Sequence, residues 1–134
     1  MKNIKILLVL ILLVTSAFTA RAQSTKDDAT TSKGDEVKMY YFHFSHRCAT
    51  CVAVEEESKK AVAELYGDKV LFTSFNLEED EGKKMGDNLG VSGQTLLIVS
   101  GDTKINITNE GFMNARSNPD KLKQIIKDKI DSLL

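Results

Sequence analysis

The chain has 134 residues, of which 42% are hydrophobic and 28% charged, with two cysteines, one proline and no tryptophan. Its 18 basic and 19 acidic residues give a formal charge of −1, so there is no basic surplus to bind nucleic acid. A chain of this length builds one core and not two, and a single folded domain is expected.

Residues 1–22 read as an export signal. Lys2 and Lys5 supply the positive charge, an apolar run from Ile6 to Val14 extends to Phe18, and Ala20-Arg21-Ala22 offers an A-x-A cleavage site before Gln23. The run is shorter than the ~20 residues that span a bilayer, so no retained membrane span is expected. No cysteine precedes Cys48, which rules out a lipid-modified cysteine at the cleavage site. Cleavage near Ala22 removes Lys2, Lys5 and Arg21, leaving 15 basic against 19 acidic residues and a charge near −4. The expected product is a monomeric protein, periplasmic or secreted.

Residues 23–35 contain Ser, Thr, Asp, Lys, Gly and Ala but no large apolar side chain, and read as a flexible linker. The folded domain is expected over residues 36–134. Its first strand, Val37 to Phe44, is apolar on both faces, as a central strand covered on both sides should be. A helix over Ala49–Tyr66 places Val54, Ser58, Ala61, Val62 and Leu65 on one face. Glu55 with Lys59 and Glu56 with Lys60 form i,i+4 pairs on the other, and Gly67 ends it. Val70 to Phe75 reads as a second buried strand, joined to the first by a right-handed parallel crossover.

Residues 78–89 predict a short helix whose acidic run is a solvated first turn. Thr95 to Val99 and Lys104 to Thr108 flank Ser100-Gly101-Asp102 as an antiparallel hairpin. Phe112 and Met113 fall in a loop, where they cap the core or form a docking patch. Asn118 as N-cap and Pro119 at the first position start the last helix, whose apolar stripe is Leu122, Ile125, Ile126, Ile130 and Leu133.

Chemistry concentrates in Cys48-Ala49-Thr50-Cys51, at the junction of the first strand and first helix. The free N–H groups and dipole of a helix N-terminus favour a thiolate over a thiol. Two intervening residues bring both sulfurs within bonding reach, so the pair can cycle between dithiol and disulfide with little backbone movement. A bridge closing so short a loop adds little chain-entropy stabilisation, which weakens a purely structural role.

The order β-α-β-α-β-β-α, with Cys-x-x-Cys opening the first helix, resembles the thioredoxin superfamily over residues 36–134. The resemblance implies an α/β thioredoxin-like fold, a central four-stranded mixed sheet flanked by three helices. It implies a thiol–disulfide oxidoreductase that needs no cofactor, with Cys48 as exposed nucleophile and Cys51 as buried resolving thiol. Its partners would be thiol or disulfide protein substrates, or small thiols, and a redox partner. Arg47, where thioredoxins usually carry tryptophan, would support the Cys48 thiolate. The buried acid that thioredoxins carry six residues before the nucleophile is here Phe42, leaving water, His43 or His46 to take a proton. The cis-proline that faces the motif in relatives is replaced within Val91-Ser92-Gly93-Gln94-Thr95, so Gln94 and Thr95 form a substrate-docking loop of different conformation, a non-proline cis bond costing ~3 kcal/mol.

Two other readings compete. His43, His46, Cys48 and Cys51 form an H-x-x-H-x-C-x-x-C string able in principle to satisfy tetrahedral zinc, and the two thiolates alone suit Cu(I). An interaction module with a permanent Cys48–Cys51 bridge keeps the fold and drops catalysis.

Overall fold

The computed structural model describes residues 35–134. The expected export signal, its cleavage site and all of the linker except Asp35 lie outside the described residues. Four strands, β1 (Lys38–His43), β2 (Leu71–Asn76), β3 (Thr95–Ser100) and β4 (Thr103–Asn106), form one sheet in the order β2-β1-β3-β4. β1 runs parallel to β2 and antiparallel to β3, and β3 and β4 form the expected antiparallel hairpin.

Helix α1 (Ala49–Tyr66) spans the residues its sequence predicts. Cys48 caps its start, and Gly67, at φ 55°, donates its N–H to the Ala63 carbonyl at its end. A 3-10 turn, Gly67–Lys69, leads into β2. Helices α2 (Asp80–Leu89), α3 (Thr108–Asn114) and α4 (Pro119–Asp131) follow. The sheet and the order of its elements are as expected, but α3 adds a fourth helix where a loop and the end of β4 were expected. Thr108 leaves β4 because its hydroxyl accepts the Leu96 N–H at 2.9 Å and donates to Asn106 Oδ1 at 2.6 Å, which turns the chain away from the hairpin.

The alternation of β1 divides the core. Val37, Met39 and Tyr41 face α1, α3 and α4, where they pack with Val54, Val62, Leu122, Ile126 and Ile130, all nearly or wholly buried. Each such aliphatic side chain contributes ~1.5–3 kcal/mol on burial. Ile125 is only half-buried, at the edge of the α4 stripe. Phe42 faces the other way, with Phe75 and Leu77, beneath Met85 and Leu89 of α2. Gly111 lets α3 press against α1 and β3, because a Cβ there would stand 3.0 Å from Leu96 and 3.3 Å from Val54. Phe112 packs on the core while Met113 is 75% exposed, so the pair acts neither wholly as cap nor wholly as patch.

Candidate redox site

Three segments meet at the N-terminal end of α1: the loop after β1, the first turn of α1, and the residues entering β3. The antiparallel register sets Phe42 opposite Thr95, which carries Gln94 to the end of β1 and hence to the motif. The loop between β1 and α1 is held from below. Leu77 N–H donates to the His43 carbonyl at 2.8 Å, Ser45 N–H to Glu78 Oε2 at 2.7 Å, and Asn76 Nδ2 to Ser45 Oγ at 3.0 Å. Hydrogen bonds from Ser45 hold the Glu78 carboxyl below its ordinary value. Glu78 and Glu79 thus precede α2, whose first turn is Asp80 and Glu81, and the acidic run is partly an anchor for the motif loop.

Cys48 and Cys51 are joined as a disulfide with Cα atoms 5.1 Å apart. Cys48 is the N-cap of α1: its Sγ accepts the Cys51 N–H at 3.1 Å. That bond uses a donor which helix geometry leaves free, and it strengthens when the acceptor sulfur is ionised. Cys48 is exposed and Cys51 only 3% exposed, an asymmetry that separates a sulfur open to solvent from one held in the domain.

Arg47 lies beside Cys48, but its guanidinium turns along the helix. It pairs with Glu55, donates to the Cys51 carbonyl at 3.3 Å and stands 5.7 Å from the centre of the Tyr41 ring. Glu55 therefore meets Arg47 and not Lys59, the partner its helical spacing predicts. Burial pushes the Glu55 carboxyl up, but Ser74 beside it and the Arg47 charge outweigh that and leave it below its ordinary value. Burial also raises the Tyr41 hydroxyl, against the opposing pull of Arg47. The Tyr41 hydroxyl, Arg47 Nε and Ser74 hydroxyl are buried and make no hydrogen bond of good geometry, although Arg47 stands beside Tyr41 and Ser74 beside Glu55. This cluster of Tyr41, Arg47, Glu55 and Ser74 was not legible as a unit, since its members come from β1, the motif loop, α1 and β2.

Gln94 is the other neighbour of the motif. Its side-chain Nε2 donates to Cys51 Sγ at 3.5 Å, and Oε1 is 3.7 Å from the same sulfur. Thr95 is half-buried and its hydroxyl donates to the Gly93 carbonyl at 3.0 Å. The peptide bonds of the described residues are all trans, Gln94-Thr95 included. Phe42, where an acid was sought, is fully buried and stacked on Phe75 with centroids 5.6 Å apart.

His46 is exposed, and His43 Nδ1 lies 3.0 Å from the Phe44 carbonyl. Among the described residues no three His, Cys, Asp or Glu side chains gather as a metal site, and both cysteine sulfurs are engaged with each other. With the pair oxidised, His43, His46, Cys48 and Cys51 are not gathered as a ligand set. Among the described residues no helix is long and apolar enough to cross a membrane.

No protein-family model and no curated protein matches the chain. Solved structures do. Thioredoxin O2 from Arabidopsis thaliana in its oxidised state superposes with a TM-score of 0.52 at 18% identity, over 71% of this chain and 76% of that one. Trxlp from Edwardsiella tarda gives 0.51 at 16% identity, over 70% and 84% of the two chains. At that distance the likeness speaks for architecture alone: the domain has the thioredoxin-like fold, and it carries a Cys-x-x-Cys disulfide at the start of its first helix.

Proposed function

We propose that the protein is an exported thiol–disulfide oxidoreductase working through Cys48 and Cys51. The observation that carries this reading is the capping of α1 by Cys48: the exposed sulfur accepts a helical N–H that would stabilise its thiolate. In the dithiol state, the Cys48 thiolate attacks one sulfur of a substrate disulfide. A Cys48–substrate bond forms, the substrate S–S bond breaks, and the departing thiolate takes a proton from water. Cys51 then loses its proton to solvent and attacks Cys48 Sγ, forming the intramolecular disulfide and releasing the second substrate thiol. Two electrons pass from protein to substrate, and a dithiol partner restores the reduced pair. Run in reverse, the same steps donate a disulfide.

The substrates in this reading are protein disulfides or small thiols, met outside the cytosol by a monomer released after cleavage near Ala22. Gln94 and Thr95 border the path by which a substrate chain reaches Cys48. Arg47, committed to Glu55, acts on the motif through the Cys51 carbonyl more directly than through the Cys48 sulfur. Insulin reduction with dithiothreitol as electron source tests the proposal. Wild-type protein accelerates it, Cys48→Ser abolishes the acceleration, and Cys51→Ser accumulates a mixed disulfide with substrate. Undiminished turnover by Cys48→Ser would reject the assignment. A bridge that resists dithiothreitol altogether would favour the interaction-module reading.

A further inference from the structure

Resting on the exchange reading above, the geometry points to Gln94 as a catalytic residue of the resolving step, its side-chain amide acting directly on the Cys51 sulfur. Both ends of that amide lie within reach of the sulfur, Nε2 at 3.5 Å and Oε1 at 3.7 Å. The amide can therefore serve both protonation states: Oε1 accepts from the Cys51 thiol, and the NH2 group donates to the thiolate once the proton has left. Gln94 is not basic and does not take the proton, which goes to solvent. What it supplies is a donor for a charge that forms at a sulfur only 3% exposed, where few water molecules can help.

The surroundings make such a donor consequential. Phe42 fills the position of the sought acid with a ring, so no carboxylate on β1 balances the proton of Cys51. The nearest half-buried charges, Arg47 and Glu55, are paired with each other, and Arg47 meets Cys51 only at its backbone carbonyl. Gln94 is held in place by the β1–β3 register and by the turn that Thr95 closes onto Gly93. These fix the backbone from which its side-chain amide reaches the atom where negative charge develops.

Ellman's reagent, an aromatic disulfide, resolves the two steps. The reduced protein releases one coloured thiolate as Cys48 is captured and a second as Cys51 attacks the mixed disulfide. Gln94→Leu should slow the second phase about tenfold more than it slows the first at neutral pH, and move the pH midpoint of the second phase upward by about one unit. Gln94→Glu, of nearly the same shape, should raise that midpoint further by setting a negative charge beside the sulfur. A second phase whose rate and midpoint are unchanged in both variants would overturn the inference. If wild-type protein shows no rapid first phase, the exchange reading fails by itself. Thiolate absorbance in Cys48→Ser, with and without Gln94→Leu, then decides the role of Gln94: an upward shift in the Cys51 midpoint supports it, and identical curves reject it.

Discussion

The two ends of α1 treat their polar groups differently. At the far end, the Tyr66 hydroxyl donates to Asp131 Oδ1 at 2.7 Å with the Lys127 carbonyl at 3.2 Å, and Lys123 pairs with Glu64 at 2.6 Å, so the helix is tied to α4. At the motif end, the hydroxyl of a second tyrosine, Tyr41, is buried with Arg47 Nε and the Ser74 hydroxyl, none of them in a hydrogen bond of good geometry, and the Ser58 hydroxyl midway along α1 is a fourth such group. Buried polar groups are usually satisfied, and exceptions cluster where a protein does chemistry. The far end ties helix to scaffold, and the motif end carries looser polar packing next to the disulfide that opens and closes in the proposed exchange.

That contrast can be broken by substitution. The largest effect expected is Cys48→Ser, which should remove insulin reduction entirely while leaving thermal stability of the reduced protein nearly unchanged; calorimetry beside the activity assay checks both. Tyr66→Phe should do the reverse, costing about 1–2 kcal/mol in urea unfolding through loss of a hydrogen bond to a charged acceptor, with exchange rates intact. Glu55→Gln should destabilise by about 1 kcal/mol at neutral pH, with Arg47 deprived of its ionised partner.

The sign of the Glu55 pH dependence follows from its lowered value. The carboxyl contributes stability above its ordinary value of 4.5, and that contribution is lost as pH falls through the lower folded value. Wild type and Glu55→Gln should therefore converge in stability in acid, as read by denaturant midpoints across pH. Tyr41→Phe, the same chemical change as Tyr66→Phe, should be neutral or stabilising by up to about 1 kcal/mol, since it deletes an unsatisfied hydroxyl. Destabilisation equal to that of Tyr66→Phe would show that the two ends are not built differently. Lys123→Ala should be the smallest, within about 0.5 kcal/mol, because its ion pair with Glu64 is largely solvated.

The parts of this molecule written in local pattern were legible. Helix α1 was legible because its apolar face and Gly67 agree on where it runs and ends, and α4 because Asn118 and Pro119 set its start. Helix α3 could not. It is one short stretch, Thr108–Asn114, with a glycine inside and no side-chain cap at Ile107, and it is held by contact with Val54 and Leu96 through Gly111. Short helices depend on tertiary packing for most of their stability, so the local sequence carries little sign of them.

At the site, an exposed Cys48 and a buried Cys51 were what the resemblance to thioredoxins implied, and their burial agrees. The Arg47–Glu55 pair did not, because helical spacing offers Glu55 a nearer partner in Lys59, while burial beside Tyr41 favours the guanidinium. The approach of Gln94 to Cys51 joins residues 43 apart and exists only through the β1–β3 pairing. Only the resemblance, which set Gln94 and Thr95 in the loop facing the motif, pointed toward it.

The central claim is that the sulfur capping α1 is held reactive while its partner is shielded. The most direct measurement is the rate of iodoacetamide alkylation at each cysteine of the reduced protein as a function of pH, resolved by peptide mass. Cys48 should react at least about tenfold faster than Cys51 at neutral pH, with a midpoint below the ~8.5 of a free thiol. Two sulfurs that react equally slowly, each with the midpoint of a free thiol, would contradict the account.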